Sequence, residues 1–170
     1  RKERVCNMNY HNITMDDMLN GDGLRTVLWV SGCAHHCRGC QNPQTWNPQS
    51  GIPFDDAAKE ELFSNLSRDY INGVTFSGGD PLCSGNRETV GQLITEIHER
   101  FPQKTIWLYT GDLFESFRNE LSFLPFIDVI VDGPYVEELR DVKLHWKGSK
   151  NQRVIDVHQT LESGKIVLWA

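Results

Sequence analysis

Chemistry is most concentrated in the stretch Cys33-Ala-His-His-Cys37-Arg-Gly-Cys40, where three cysteines stand at spacings of four and three. Thiolates so placed can share one soft metal centre. Zinc closes a site of this kind with a fourth Cys or His, and His35, His36 or Cys83 could complete a small zinc knuckle. A [4Fe–4S] cube takes one ligand per iron, normally four cysteines. With three, one iron stays open to an outside ligand, so the loop reads as a cluster that holds a substrate. His35 and His36 read as solvated loop residues rather than ligands, and Cys6 as a plain thiol. A second constellation is Gly78-Gly79-Asp80, followed by Pro81. Two glycines after a strand let a backbone approach a ligand closely and present bare N–H and C=O groups to it. Without a ligand, such a pair before Asp-Pro is an ordinary turn.

These residues need a scaffold, and the pattern around them supplies one. Thr26–Val30 is β-branched and aromatic, and reads as a strand that delivers the cysteine loop at its C-terminal end. A glycine-rich turn, Asn20-Gly-Asp-Gly23, leads into it. Asp55 can cap a helix running to about Arg68, with Leu62, Phe63 and Leu66 on one face. Val74–Ser77 is a short strand ending in the Gly-Gly-Asp turn. Val90, Leu93, Ile94 and Ile97 stand at helical spacing and predict the clearest helix in the chain. Thr105–Tyr109 and Ile127–Val131 are further strands; between them Asp112 and Glu115 have capping-box spacing ahead of Phe114, Phe117 and Leu121. Weaker strands are expected near Arg153–Val157 and Ile166–Trp169. Strand, loop and helix in repetition call for a parallel α/β sheet with right-handed crossovers. About five or six strands are too few for a closed eight-stranded barrel, so the expectation is a partial, open parallel βα barrel.

At 170 residues the chain reads as a single domain over 8–170, with residues 1–7 an extension, because Met8-Asn-Tyr looks like a natural start. A net charge of −6 argues against nucleic acid or anionic lipid as a partner. No apolar run reaches the roughly 18 residues of a membrane span, and no charged-then-apolar leader opens the sequence. Five cysteines, three of them in one loop, suit a reducing cytoplasm better than a disulfide framework.

Taken together, the Cys-x3-Cys-x2-Cys loop after one strand and the Gly-Gly-acid turn after the next resemble the radical S-adenosylmethionine (SAM) superfamily. Asn20-Gly-Asp-Gly-Leu-Arg25 is similar to the Asn-Gly-Pro-Gly-x-Arg lead-in of glycyl-radical-enzyme activases, with Asp22 in the usual proline position. Asn42-Pro-Gln-Thr45-Trp46 matches the segment after their third cysteine. Ser77-Gly-Gly-Asp-Pro-Leu82, Trp107-Leu-Tyr-Thr-Gly111, Val131-Asp-Gly133 and Trp146-Lys-Gly-Ser-Lys-Asn-Gln152 resemble one branch, the activating proteins of anaerobic (class III) ribonucleotide reductase. The likeness runs from about Met8 to Asp156.

The resemblance implies a radical SAM barrel, an iron–sulfur oxidoreductase and two cofactors, a [4Fe–4S] cluster and SAM. Cys33, Cys37 and Cys40 would hold three irons, and SAM the fourth. Gly78, Gly79 and Asp80 would satisfy the methionine amino group, and Gly39, Cys40 and Gln41 would touch the adenosyl part. Asp132 could meet the SAM carboxylate through a cation, or be a solvated turn aspartate. One electron would break the sulfur–C5′ bond, and the resulting radical would take a hydrogen from a glycine of the reductase, the implied partner. No side chain is implied as a general base, and the electron donor would be a protein such as flavodoxin. Two alternatives stand beside this: a radical SAM enzyme for another glycyl radical enzyme or a small molecule, and a zinc-binding interaction module.

Overall fold

A computed structural model describes residues 8–169; Cys6 and the extension read over residues 1–7 lie outside the described residues. In chain order the strands are β1 (Asn9–Asp17), β2 (Arg25–Val30), β3 (Ile52–Pro53), β4 (Gly73–Gly78), β5 (Thr105–Tyr109), β6 (Val129–Asp132) and β7 (Arg153–Asp156). The helices are α1 (Asp56–Leu66), α2 (Arg87–Arg100), α3 (Phe114–Phe117) and α4 (Val157–Ser163). All seven strands join one sheet in the order β3-β1-β2-β4-β5-β6-β7. The middle four, β2, β4, β5 and β6, are parallel, whereas β1, β3 and β7 join antiparallel. The two edge strands are β3 and β7, so the sheet is not closed.

The parallel middle of the sheet is where the sequence placed it. Asp55 caps α1, its carboxylate accepting from the Ala58 N–H at 2.9 Å. Val90, Leu93, Ile94 and Ile97 of α2 are all buried. Two expectations are corrected, and one strand is new. β1 was not foreseen, because Asn9–Asp17 shows no clean alternation; only Tyr10 and Ile13 are buried along it. The helix after Asp112 is a single turn, and Asp112 does not cap it: the cap position belongs to Leu113, whose extended backbone makes no side-chain cap. The Ile166–Trp169 segment forms an isolated bridge, Ile155 to Leu168, rather than a strand.

Period-two alternation gives the sheet two unlike faces. Leu28, Val30, Val74, Phe76, Ile106, Leu108, Ile130 and Ile155 join the side chains of α1 and α2 in one continuous core. Trp107, Val129 and Val131 form a smaller cluster, flanked by Tyr109, Trp146 and Val154. Near the N-terminal ends of the strands lies Arg25, fully buried. Its guanidinium donates to the Thr75 and Thr105 hydroxyls and to the carbonyls of Asp22, Val74 and Thr105, all within 2.9 Å. It also lies 5.6 Å from the centre of the Trp107 ring. Burial lowers its pKa to about 10, and the neutral oxygens around it replace water. The Asn20-to-Arg25 lead-in therefore ties three parallel strands together at the end opposite the cysteine loop.

Candidate functional site

The cysteine loop leaves the C-terminal end of β2 and is held at its root by backbone. Gly32 N–H donates to the Thr45 carbonyl at 2.6 Å and Cys33 N–H to the Trp46 carbonyl at 3.0 Å. The loop closes on itself through Cys40 N–H to the Cys37 carbonyl at 3.1 Å. Cys33, Cys37 and Cys40 are free and half-buried. Burial pushes the Cys33 thiol up, opposed by hydrogen bonds from the backbone N–H groups of His35 and His36. Asn42 N–H donates to the Cys40 sulfur at 3.4 Å. Backbone donors aimed at cysteine sulfur are among the features that tune an iron–sulfur centre.

The two histidines are not free loop residues. His36 stacks on Trp46 with ring centres 4.7 Å apart. His35 Nε2 lies 3.1 Å from Asp80 Oδ2 and 2.9 Å from Asp112 Oδ1. Both carboxylates raise its pKa, the hydrogen bond to Asp80 foremost. The reading of His35 as solvated is corrected here: its side chain is 27% exposed and bridges two strand ends. Asp112 also meets Arg87 at 3.4 Å, and Arg87 continues to Glu120 and to the Leu82 carbonyl.

Gly78-Gly79-Asp80 stands at the end of β4 and faces the root of the cysteine loop. Gly78 has φ +102, and a Cβ on it would sit 2.6 Å from the Val30 backbone nitrogen. A Cβ on Gly79 would come within 2.5 Å of the Gly32 carbonyl oxygen. The glycines thus permit backbone to approach backbone, and two of the turn's N–H groups are spent within the fold. Gly79 N–H is donated to the Val30 carbonyl at 2.8 Å and Asp80 N–H to the Gly32 carbonyl at 2.7 Å. The buried Asp80 carboxylate accepts from Leu82 N–H, the Thr110 hydroxyl and Gly111 N–H, each at about 3 Å. Asn86, unremarked in the sequence, donates from its buried amide to the carbonyls of Ser31 and Asp80.

The remaining predicted residues lie around this junction. Gly39 and Gln41 flank Cys40 on the exposed part of the loop, and Gly39 takes φ +77. Asp132 ends β6, two strands beyond the turn, and is fully buried, so it is no solvated turn residue. Its carboxylate accepts from Phe114 N–H at 2.8 Å and from Arg153 at 3.0 and 2.5 Å. Arg153 also chelates Glu115, at 2.9 and 2.8 Å. Cys83 is half-buried in the turn into α2, where its carbonyl accepts from Asn86 and Arg87. A cleft of about 570 Å³ is lined by Trp146, Lys147, Lys150, Gln152, Arg153 and Trp169, among others. The partners of His35 and Asp132 are far away in sequence, and only the Trp107-to-Gly111 and Trp146-to-Gln152 motifs hinted that those segments converge.

Known proteins give this arrangement a context. The family described as a 4Fe-4S single cluster domain matches residues 19–155. The anaerobic ribonucleoside-triphosphate reductase-activating protein of Enterobacteria phage T4 is 48% identical over 147 residues, covering 86% of this chain and 93% of that protein. The proteins of the same name from Escherichia coli K12 and Haemophilus influenzae are 41% and 40% identical, and the match covers 97% and 96% of their lengths. With a thiol loop suited to a cluster and this degree of identity over most of its length, the chain belongs to the family of anaerobic ribonucleoside-triphosphate reductase-activating proteins.

Proposed function

We propose that this chain is a radical SAM activase that generates a glycyl radical on anaerobic ribonucleotide reductase, using a [4Fe–4S] cluster held by Cys33, Cys37 and Cys40. The observation that carries this is the joining of the three-cysteine loop to the Gly78–Asp80 turn, through Asp80 N–H on the Gly32 carbonyl. The donor set fits the group. Three half-buried thiols share one short loop, backbone N–H groups point at two of the sulfurs, and both loop histidines are engaged elsewhere. Together the cluster and SAM supply a low-potential electron and, from it, a hydrogen-abstracting radical.

The chain's own residues bind and orient. The acceptors that an amino group needs would be the carbonyls of Gly78 and Gly79, because the Asp80 carbonyl already accepts from Asn86 and Cys83 and the N–H groups of Gly79 and Asp80 are donated. Gly39, Cys40 and Gln41 would lie along the adenosyl group, and Asp132 would act through Arg153, the cation it holds. The open sheet extends the reading to a partial radical SAM barrel in a single domain, with a loop of the reductase entering beside the cysteine loop. Holding that loop in near-attack geometry is the main contribution of the protein. An electron donor such as flavodoxin and a reducing cytoplasmic setting complete the proposal; no helix among the described residues is long and apolar enough to cross a membrane.

Anaerobic reconstitution tests it. The chain should take up about four irons and four sulfides, one cube's complement. With reductant, SAM and the reductase it should yield 5′-deoxyadenosine, methionine and the paramagnetic-resonance doublet of a glycyl radical. One zinc per chain and no iron would overturn the cluster. SAM cleavage with a radical only on a different glycyl enzyme would move the target.

A further inference from the structure

The cysteine loop carries no regular secondary structure between Cys33 and Cys40, so beyond its backbone-held root its orientation depends on the few side-chain contacts that leave it. Two are near or weak. His36 stacks on Trp46, just beyond the loop itself. Arg38 pairs with Glu137 and Glu138, but its side chain is 75% exposed, and exposed ion pairs fix little. The third contact is of another kind. One nitrogen of His35 reaches the carboxylates of Asp80, after β4, and Asp112, after β5.

Both ends of that bridge are prepared for it. The Asp80 side chain is 3% exposed and already held by Leu82, Thr110 and Gly111, so the imidazole meets an acceptor that cannot turn away. Asp112 is steadied by its own N–H on the Thr110 hydroxyl at 3.1 Å and by Arg87. The ring itself is seated against Gly111. A Cβ at that position would stand 2.4 Å from His35 Cδ2, closer than any side chain tolerates. Gly111 therefore leaves the room that the imidazole fills, an observation independent of the hydrogen bonds.

We propose that His35 is a positioning residue, which latches the cysteine loop to the ends of β4 and β5 and so fixes the loop's orientation toward the turn that receives SAM. This rests on the reading of the loop and the turn as cluster and SAM sites. In this role His35 is not a ligand of the cluster: its Nε2 faces Asp80 and Asp112, three groups that could together also hold a cation, and its backbone N–H serves the Cys33 sulfur.

The test uses the full chain, reconstituted without oxygen, with SAM as the probe. His35→Ala should keep its iron and its fold, yet bind SAM about tenfold more weakly, the loss expected of one hydrogen bond to a charged group. The change that SAM causes in the resonance of the reduced cluster should shrink with it. His35→Gln, which restores an N–H at similar reach, should recover most of both readouts. Gly111→Ala, which keeps the imidazole in the chain but forces it from its seat, should weaken SAM binding in the same direction. A His35→Ala protein with full iron, wild-type affinity and a wild-type spectral response would overturn the proposal. If His35→Ala takes up no iron, Gly111→Ala and Asp112→Ala decide: wild-type SAM affinity in both would overturn it, and weaker binding in both would support it. Failure of the wild-type chain to bind SAM at all would instead remove the function on which the proposal stands.

Discussion

Cys83 and the three loop cysteines differ in setting more than in exposure. Cys33, Cys37 and Cys40 share one loop, with N–H donors on two of their sulfurs, whereas Cys83 sits in the backbone turn that begins α2. Alanine at any one of Cys33, Cys37 or Cys40 should abolish cluster uptake and radical formation, and Cys83→Ala should retain both, as read by iron content and paramagnetic resonance. Equal loss in Cys83→Ala would make it the fourth ligand and close the site. The cysteine loop was legible from spacing alone because its members are sequence neighbours. His35 was misread because its partners lie far along the chain, Asp112 as much as 77 residues away, and no local pattern announces a contact of that separation. Asp132 was singled out correctly as a strand-end acid, but Arg153, which occupies its carboxylate, could not be deduced from its surroundings in the chain.

Between elements, the decisive contact is backbone on backbone where β2 and β4 end together. From the sequence, Gly79 was expected to leave space for a ligand; the fold shows it leaving space for Gly32. Gly79→Val should therefore do more than weaken SAM binding. It should spread the β4 turn from the cysteine loop, so that cluster content falls as well, measured as iron per chain alongside the unfolding temperature. Gly85→Ala is the matched control in the same connection. Nothing lies within 4 Å of a Cβ there, and its stability should stay within about 0.5 kcal/mol of wild type. Intact iron and a wild-type melt in Gly79→Val would show that the turn yields. The parallel strands were legible because buried β-branched runs separated by amphipathic helices have few other solutions. β1 was not, since its pairing with β2 relies on backbone hydrogen bonds that carry no side-chain signature.

Across the whole molecule, charge is arranged so that one exposed ion pair is acid-sensitive. Arg153 draws the Glu115 carboxyl down to about 2. A carboxyl lowered on folding contributes stability that is complete above its unfolded pKa of roughly 4.3 and is lost as pH falls toward the folded value. Glu115 is half-exposed, so screening keeps the contribution at or below about 1 kcal/mol. Glu115→Gln should accordingly be less stable than wild type at pH 6 and converge with it toward pH 2, seen by unfolding both proteins side by side. A constant gap across that range would exclude the ion pair as its cause.

The fully buried Arg25 has a consequence for register. Its guanidinium binds β4 and β5 to the strand that carries it, at the end where no chemistry is proposed. At the other end the β2–β4 ladder runs on to Val30 and Gly78, and Asp80 N–H on the Gly32 carbonyl carries it into the cysteine loop. The strand that delivers the loop is thus fastened at both ends. A slip of β2 by one residue would strip the guanidinium of its acceptors on β4 and β5 and leave a buried charge unsatisfied. The register that places the loop opposite the turn is held from the far end of the sheet.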